Sequence, residues 1–175
     1  MTKLKEIEET DPYFRRSDFW RRFSVAGFFT EDIILDIKAL LNSQDDGHLR
    51  NLILELLIES PIAHLLIDEL RQILLDSQED KYNRIYAIKC LLGCTTYAYE
   101  SDLTKLLSEA TPASLEVAAK GMELLDLNMF ELAFLETYFL ACANLYPSNK
   151  LRSERVIGAR YFIKSIIFRL NQENV

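Results

Sequence analysis

The sequence predicts an all-α fold, a short right-handed α-solenoid of about four to five helix–turn–helix units, on three observations. The 175 residues include only 5 Gly and 4 Pro, too few for an all-β chain that must turn every 8–12 or so residues. Apolar residues recur at i, i+3, i+4 through most of the chain, the period of a helix with one buried face. The third observation is a turn that occurs twice. Leu-Asn-Ser-Gln-Asp-Asp-Gly-His-Leu-Arg (41–50) parallels Leu-Asp-Ser-Gln-Glu-Asp-Lys-Tyr-Asn-Arg (75–84). The alternative is an irregular multi-helix bundle. Residues 1–175 read as one helical domain, with an N-terminal cap at 11–30, a body at 31–146 and a basic capping helix at 150–171.

Taken in order, residues 2–10 are polar and read as a short helix. Asp11-Pro12 is an N-cap followed by Pro at the first helical position, opening a helix over 13–29 that carries Phe14, Trp20 and Phe23. Thr30 caps a helix over 31–42, whose Glu31 and Asp32 favour the positive end of the dipole. Its Ile33, Ile34, Ile37, Leu40 and Leu41 form a stripe. The helix at 48–59 places Leu49, Leu52, Ile53, Leu56 and Leu57 on one face. Ser60-Pro61 ends it and caps a helix to 75. Further helices follow at 81–94, 102–109, 113–126, 129–145 and 151–171, separated by polar or proline-bearing turns.

Aligned on the residue after each turn, the copies fall at Arg16, Arg50, Arg84, Glu116 and Arg155, at intervals of 34, 34, 32 and 39 residues. One two-helix unit cannot bury its apolar faces alone, so recurring units of this size stack on each other. These residues resemble HEAT repeats of the short variety. The Asp-Pro-Tyr-Phe-Arg-Arg segment (11–16) is similar to that family's Asp-Pro-x-Val-Arg, and Arg84 is followed at the expected distance by the small Ala87. Ile53 and Glu116 depart from the pattern, and the central turns run about two residues long. The tetratricopeptide and ankyrin signatures are missing. The resemblance implies an interaction scaffold.

The net charge of −7 argues against nucleic acid and anionic lipid as partners. Its distribution is uneven. Residues 31–146 carry 20 acidic and 8 basic side chains, whereas 150–175 carry 6 basic and 2 acidic, and 13–24 carry 4 basic and 1 acidic. Three cysteines in apolar context suit a reducing compartment. The N-terminus lacks a signal-peptide core, and the most apolar window, 129–146, is interrupted by Glu131 and Glu136. The expectation is a cytoplasmic chain with no membrane segment.

No catalytic set is visible, and no cofactor or metal is expected. Cys90 and Cys94 share a helix face but lack the two further ligands of a zinc site. His48 and His64 are isolated. The pairs Glu55/Glu59 and Asp32/Asp36 read as solvated helix faces, and 45–47 lacks the alternating acids of a calcium loop. Arg15, Arg16, Arg21 and Arg22 around Trp20 have the composition of an interface hot spot. Arg152, Arg155, Arg160 and Lys164 line one side of the last helix. Both groups are candidate partner-binding residues, for another protein or a second copy of this chain. Asp76, Asp80, Arg50 and Arg84 read as structural anchors, because a carboxylate and a guanidinium at each turn make charge-assisted hydrogen bonds between units. The leading function is a non-enzymatic protein–protein interaction module. The alternatives are a nucleic-acid-binding solenoid and, from the HEAT-like resemblance, a chromophore-handling protein similar to bilin lyases.

Overall fold

Seven α-helices and no strand occur among the residues described by the computed structural model, which are 29–43, 47–58 and 60–145. The helices expected at 2–10 and 151–171, and that at 13–29 up to its last residue, lie outside the described residues. The helices are α1 (Ile34–Leu41), α2 (Gly47–Leu57), α3 (Ile67–Leu75), α4 (Lys81–Leu92), α5 (Glu100–Glu109), α6 (Pro112–Met122) and α7 (Leu132–Asn144). Three of them, α1, α3 and α7, begin later than expected. Single 3-10 turns at Glu31–Ile33, Ala63–Leu66 and Leu127–Met129 precede α1, α3 and α7. Pro112 is the first residue of α6 rather than part of the turn before it. Its missing N–H is no loss at that position, and Thr111 and Ser114 form a reciprocal capping box around it. Thr30 caps without bonding a backbone amide, its hydroxyl being taken by the Asp32 carboxylate.

The packing follows from two kinds of neighbour. α1 lies on α2, α3 on α4 and α5 on α6, each joined by a short turn. Across these pairs α2, α4 and α6 pack in succession, as do α3, α5 and α7. The apolar stripes are correspondingly regular. Ile37, Leu70 and Leu103 are buried at a spacing of 33, as are Leu40, Ile73 and Leu106, and Leu41, Leu74 and Leu107. Helix α4 is enclosed by α2, α3 and α6 and buries Asn83, Arg84, Ile85, Ala87, Ile88, Cys90 and Leu91. Such near-complete enclosure erases a simple amphipathic pattern.

One close approach explains a small residue. At Gly121 of α6 an added Cβ would overlap Ile88 Cδ1 of α4 and lie 3.2 Å from its Cγ1. Ile88 is fully buried, so it has no open space to move into. Gly121→Ala is therefore expected to destabilise the fold by about 1–3 kcal/mol. Adding Ile88→Val, which deletes the obstructing methyl, should restore part of that loss in urea unfolding.

Candidate functional site: the turn edge

At the edge where the hairpin turns lie, two guanidinium groups make the same two connections. Arg50 Nε donates to Leu41 O at 2.8 Å, and Arg84 Nε donates to Leu74 O at 2.9 Å. Each arginine thus satisfies a carbonyl that the end of the preceding helix leaves unpaired. Each then reaches forward to the next turn. Arg50 Nη2 meets Glu79 Oε2 at 2.7 Å. Arg84 grips Glu109 with both terminal nitrogens, at 3.1 and 2.6 Å. Arg84 is 0% exposed, so a planar two-pronged partner is what makes its burial tolerable.

Smaller bonds brace the carboxylates. Glu79 Oε1 accepts from Asn83 Nδ2 at 2.9 Å and from the Asp80 amide at 3.0 Å. Asn51 Nδ2 of α2 donates to Asn83 Oδ1 of α4 at 2.6 Å. Asn51 Oδ1 is buried without a partner, a local cost these bonds must offset. Thr111 Oγ1 donates to Glu109 Oε1 at 3.0 Å. Lys81 Nζ of α4 meets Glu116 Oε2 of α6 at 2.9 Å.

A second set of pairs joins the other series of helices. Lys38 of α1 meets Glu69 of α3 at 2.8 Å. Arg71 of α3 holds Asp102 of α5 with Nε and Nη2, at 2.7 and 2.9 Å. Tyr97 Oη donates to the same carboxylate at 2.9 Å. Burial pushes the Asp102 carboxyl up, but hydrogen bonds from Arg71 and Tyr97 and the Arg71 charge outweigh it, leaving the group below its ordinary 3.8. Glu79 and Glu109 follow the same logic. Burial raises each, Asn83 and Arg50 bonds lower the first, Arg84 and Thr111 bonds lower the second, and both finish below 4.5.

The anchors thus divide into two kinds. Arg50 and Arg84 join successive hairpins. Asp76 and Asp80 do not supply the carboxylates they grip. Asp76 Oδ1 accepts from the Gln78 amide at 2.9 Å, and Asp80 Oδ1 caps α4 by accepting from the Tyr82 amide at 2.8 Å. Both are spent within their own turn, and Glu79 and Glu109 supply the carboxylates between hairpins instead. Glu79, Glu109, Asn51, Asn83, Arg71 and Asp102 were not singled out from sequence. A signal existed for one pair, since Lys38/Glu69 and Arg71/Asp102 share the same separation. Arg15, Arg16, Trp20, Arg21 and Arg22, and likewise Arg152, Arg155, Arg160 and Lys164, lie outside the described residues.

A cleft of about 670 Å³ opens along this edge, lined by His48, Arg50, Asn51, Glu79, Tyr82 and Asn83 together with Gly47, Asp76, Gln78 and Asp80. Its walls are polar and carry more carboxylate than cation. Tyr82 is 56% exposed, and its side chain takes part in none of the bonds between hairpins. Of the eight basic side chains in 31–146, seven are in ion pairs: Lys38, Arg50, Arg71, Lys81, Arg84, Lys105 and Lys120. The surplus carboxylates are therefore left facing outward. Cys90, Cys94 and Cys142 are free and buried, and burial raises all three thiols above their ordinary range, which suits packing rather than nucleophilic chemistry. His64 bonds Pro61 O in its own turn. Among the described residues no cluster of His, Cys, Asp or Glu could hold a metal ion, and no helix is long and apolar enough to cross a membrane. Comparison of the chain with protein-family models, curated proteins and solved structures finds no match.

Two outcomes are expected. Arg84→Ala leaves the Leu74 carbonyl and Glu109 without their partner and should cost about 3–5 kcal/mol in chemical denaturation. Arg84→Met, which refills the volume, should cost less. The acid limb of stability carries a definite sign. Because the carboxyls of Glu79, Asp102 and Glu109 sit below their ordinary values, the unfolded chain binds more protons as pH falls. Their contribution is complete above about pH 5 and is lost as pH drops through 4 toward the folded-state values. Glu109→Gln should make that fall shallower in pH-dependent thermal melts.

Proposed function

We propose that this chain is a HEAT-like α-solenoid module, non-enzymatic, that holds a protein partner along its turn edge. The supporting observation is the doubled Arg–Glu connection, in which side chains at successive turns tie one hairpin to the next. Supporting it further are the two parallel series of helix contacts and the buried columns spaced by 33 residues. A site built for chemistry gathers its titratable groups around an open reaction space. Here the charged groups are paired off between helices, and the remaining cleft is a polar shelf with an exposed tyrosine.

The partner this surface favours is a segment bearing Arg or Lys. Seven of the eight body cations are engaged internally, so the outward potential is negative and steers a cationic segment to the edge. A second copy offering its own basic ends is one such source. An acidic rim opposes nucleic acid, and a polar cleft offers a tetrapyrrole little apolar contact.

Affinity capture with the full chain, followed by titration of the captured protein, tests the reading. Tyr82→Ala should weaken binding about tenfold, the size of one aromatic hot spot, with the melting temperature unchanged. Affinity should also fall with salt. Capture that is indifferent to Tyr82 and to ionic strength would contradict it.

A further inference from the structure

The ion pairs between α1, α3 and α5 keep one spacing, and that spacing reaches beyond the first described helix. Lys38 to Glu69 and Arg71 to Asp102 are each 31 residues apart, and both the cations and the carboxylates advance by 33. One interval earlier in the sequence stand Lys5 and Asp36, again a cation and a carboxylate 31 apart. The apolar columns keep the same interval. Leu4 precedes Ile37, Leu70 and Leu103, and Ile7 precedes Leu40, Ile73 and Leu106. Arg16 likewise precedes Arg50 and Arg84 by steps of 34.

The surface of α1 agrees with this arithmetic. The side chain of Glu69 is 15% exposed and that of Asp102 is 0% exposed, and each meets a cation of the preceding helix in its series, Lys38 of α1 and Arg71 of α3. Asp36, in the same position on α1, is exposed and has no ion pair among the described residues. Ile33 is only half-buried where its counterpart Leu66 is completely covered. The side of α1 that α3 and α5 bury against their predecessors is thus open. Twenty-eight residues precede Phe29, long enough to return across that side.

We propose that this open side of α1 is the docking surface for residues 3–10 of the same chain, with Lys5 on Asp36 and Leu4 and Ile7 extending the buried columns. The inference rests on the stacked reading given under Proposed function. It assigns Lys5 a structural partner, and it makes Arg16 the counterpart of Arg50 and Arg84 rather than a residue free to meet a partner.

A charge-reversal cycle on the full chain tests it at low salt. Lys5→Glu and Asp36→Lys should each lower the melting temperature by about 1–3 °C, the range of a surface ion pair in a chain this size. The double variant should recover most of the loss, while Lys3→Glu changes nothing. Steady-state 15N NOE values for residues 4–8 should match those of α1 in the unaltered chain. Additive losses in the double variant, or free-peptide NOE values at 4–8, would overturn the proposal. So would ordering of 4–8 that disappears on dilution to monomer, which would assign the segment to a second copy. The parallel cycle Lys38→Glu with Glu69→Lys separates the two levels. Coupling there without coupling at 5/36 removes only the docking of 3–10. Absence of coupling at both pairs removes the stacked reading itself.

Discussion

A guanidinium with no exposed surface sets the terms for the whole molecule. Arg84 sits where three helices and a turn converge, and burying it uncompensated would cost more than the domain can spare. It is tolerable because the end of α3 presents a carbonyl and the end of α5 presents both oxygens of Glu109. Those two requirements fix the relative positions of α3, α4 and α5. Arg50 imposes the corresponding geometry one hairpin earlier through Leu41 and Glu79. Apolar burial supplies most of the free energy, but it is indifferent to direction. The charged contacts choose among the ways greasy helices can pack.

Much of this was legible in the sequence, for a definite physical reason. A helix that buries one stripe must repeat its apolar residues at the helical period, so Leu40/Leu41, Ile73/Leu74 and Leu106/Leu107 disclosed their helices directly. The similar residues of 41–50 and 75–84 disclosed Arg50 and Arg84 as equivalent positions. The carboxylates that meet them were hidden. Asp76, Glu79 and Asp80 crowd one turn, and composition cannot say which of them faces outward to a neighbour. That depends on which aspartates the backbone amides of Gln78 and Tyr82 have already claimed. The Asn51–Asn83 contact was equally hidden, since it depends on the rotation of two helices about their axes. The 3-10 turns before α1, α3 and α7 left no trace because over three or four residues a 3-10 turn and an α turn space their side chains almost alike.

Spending nearly every body cation on internal pairing also shapes what the exterior can do. The polar cleft with its exposed Tyr82 is where the proposed cationic partner would meet this acidic surface. The proposed stack and the proposed binding role therefore share one cause. The residues that hold the hairpins together are the residues whose removal from the surface leaves it negative.

Native-state hydrogen exchange across a denaturant series tests the central claim most directly. A stack of hairpins opens from its ends, because terminal helices have one neighbouring unit and central ones have two. The account predicts a gradient in which amides of α4 exchange only through the largest opening, with α2 and α6 below it and α1 and α7, nearer the ends of the stack, opening at lower free energy. Merging of all seven helices onto one global isotherm, with α1 as protected as α4, would contradict it and favour an irregular bundle held by a single core.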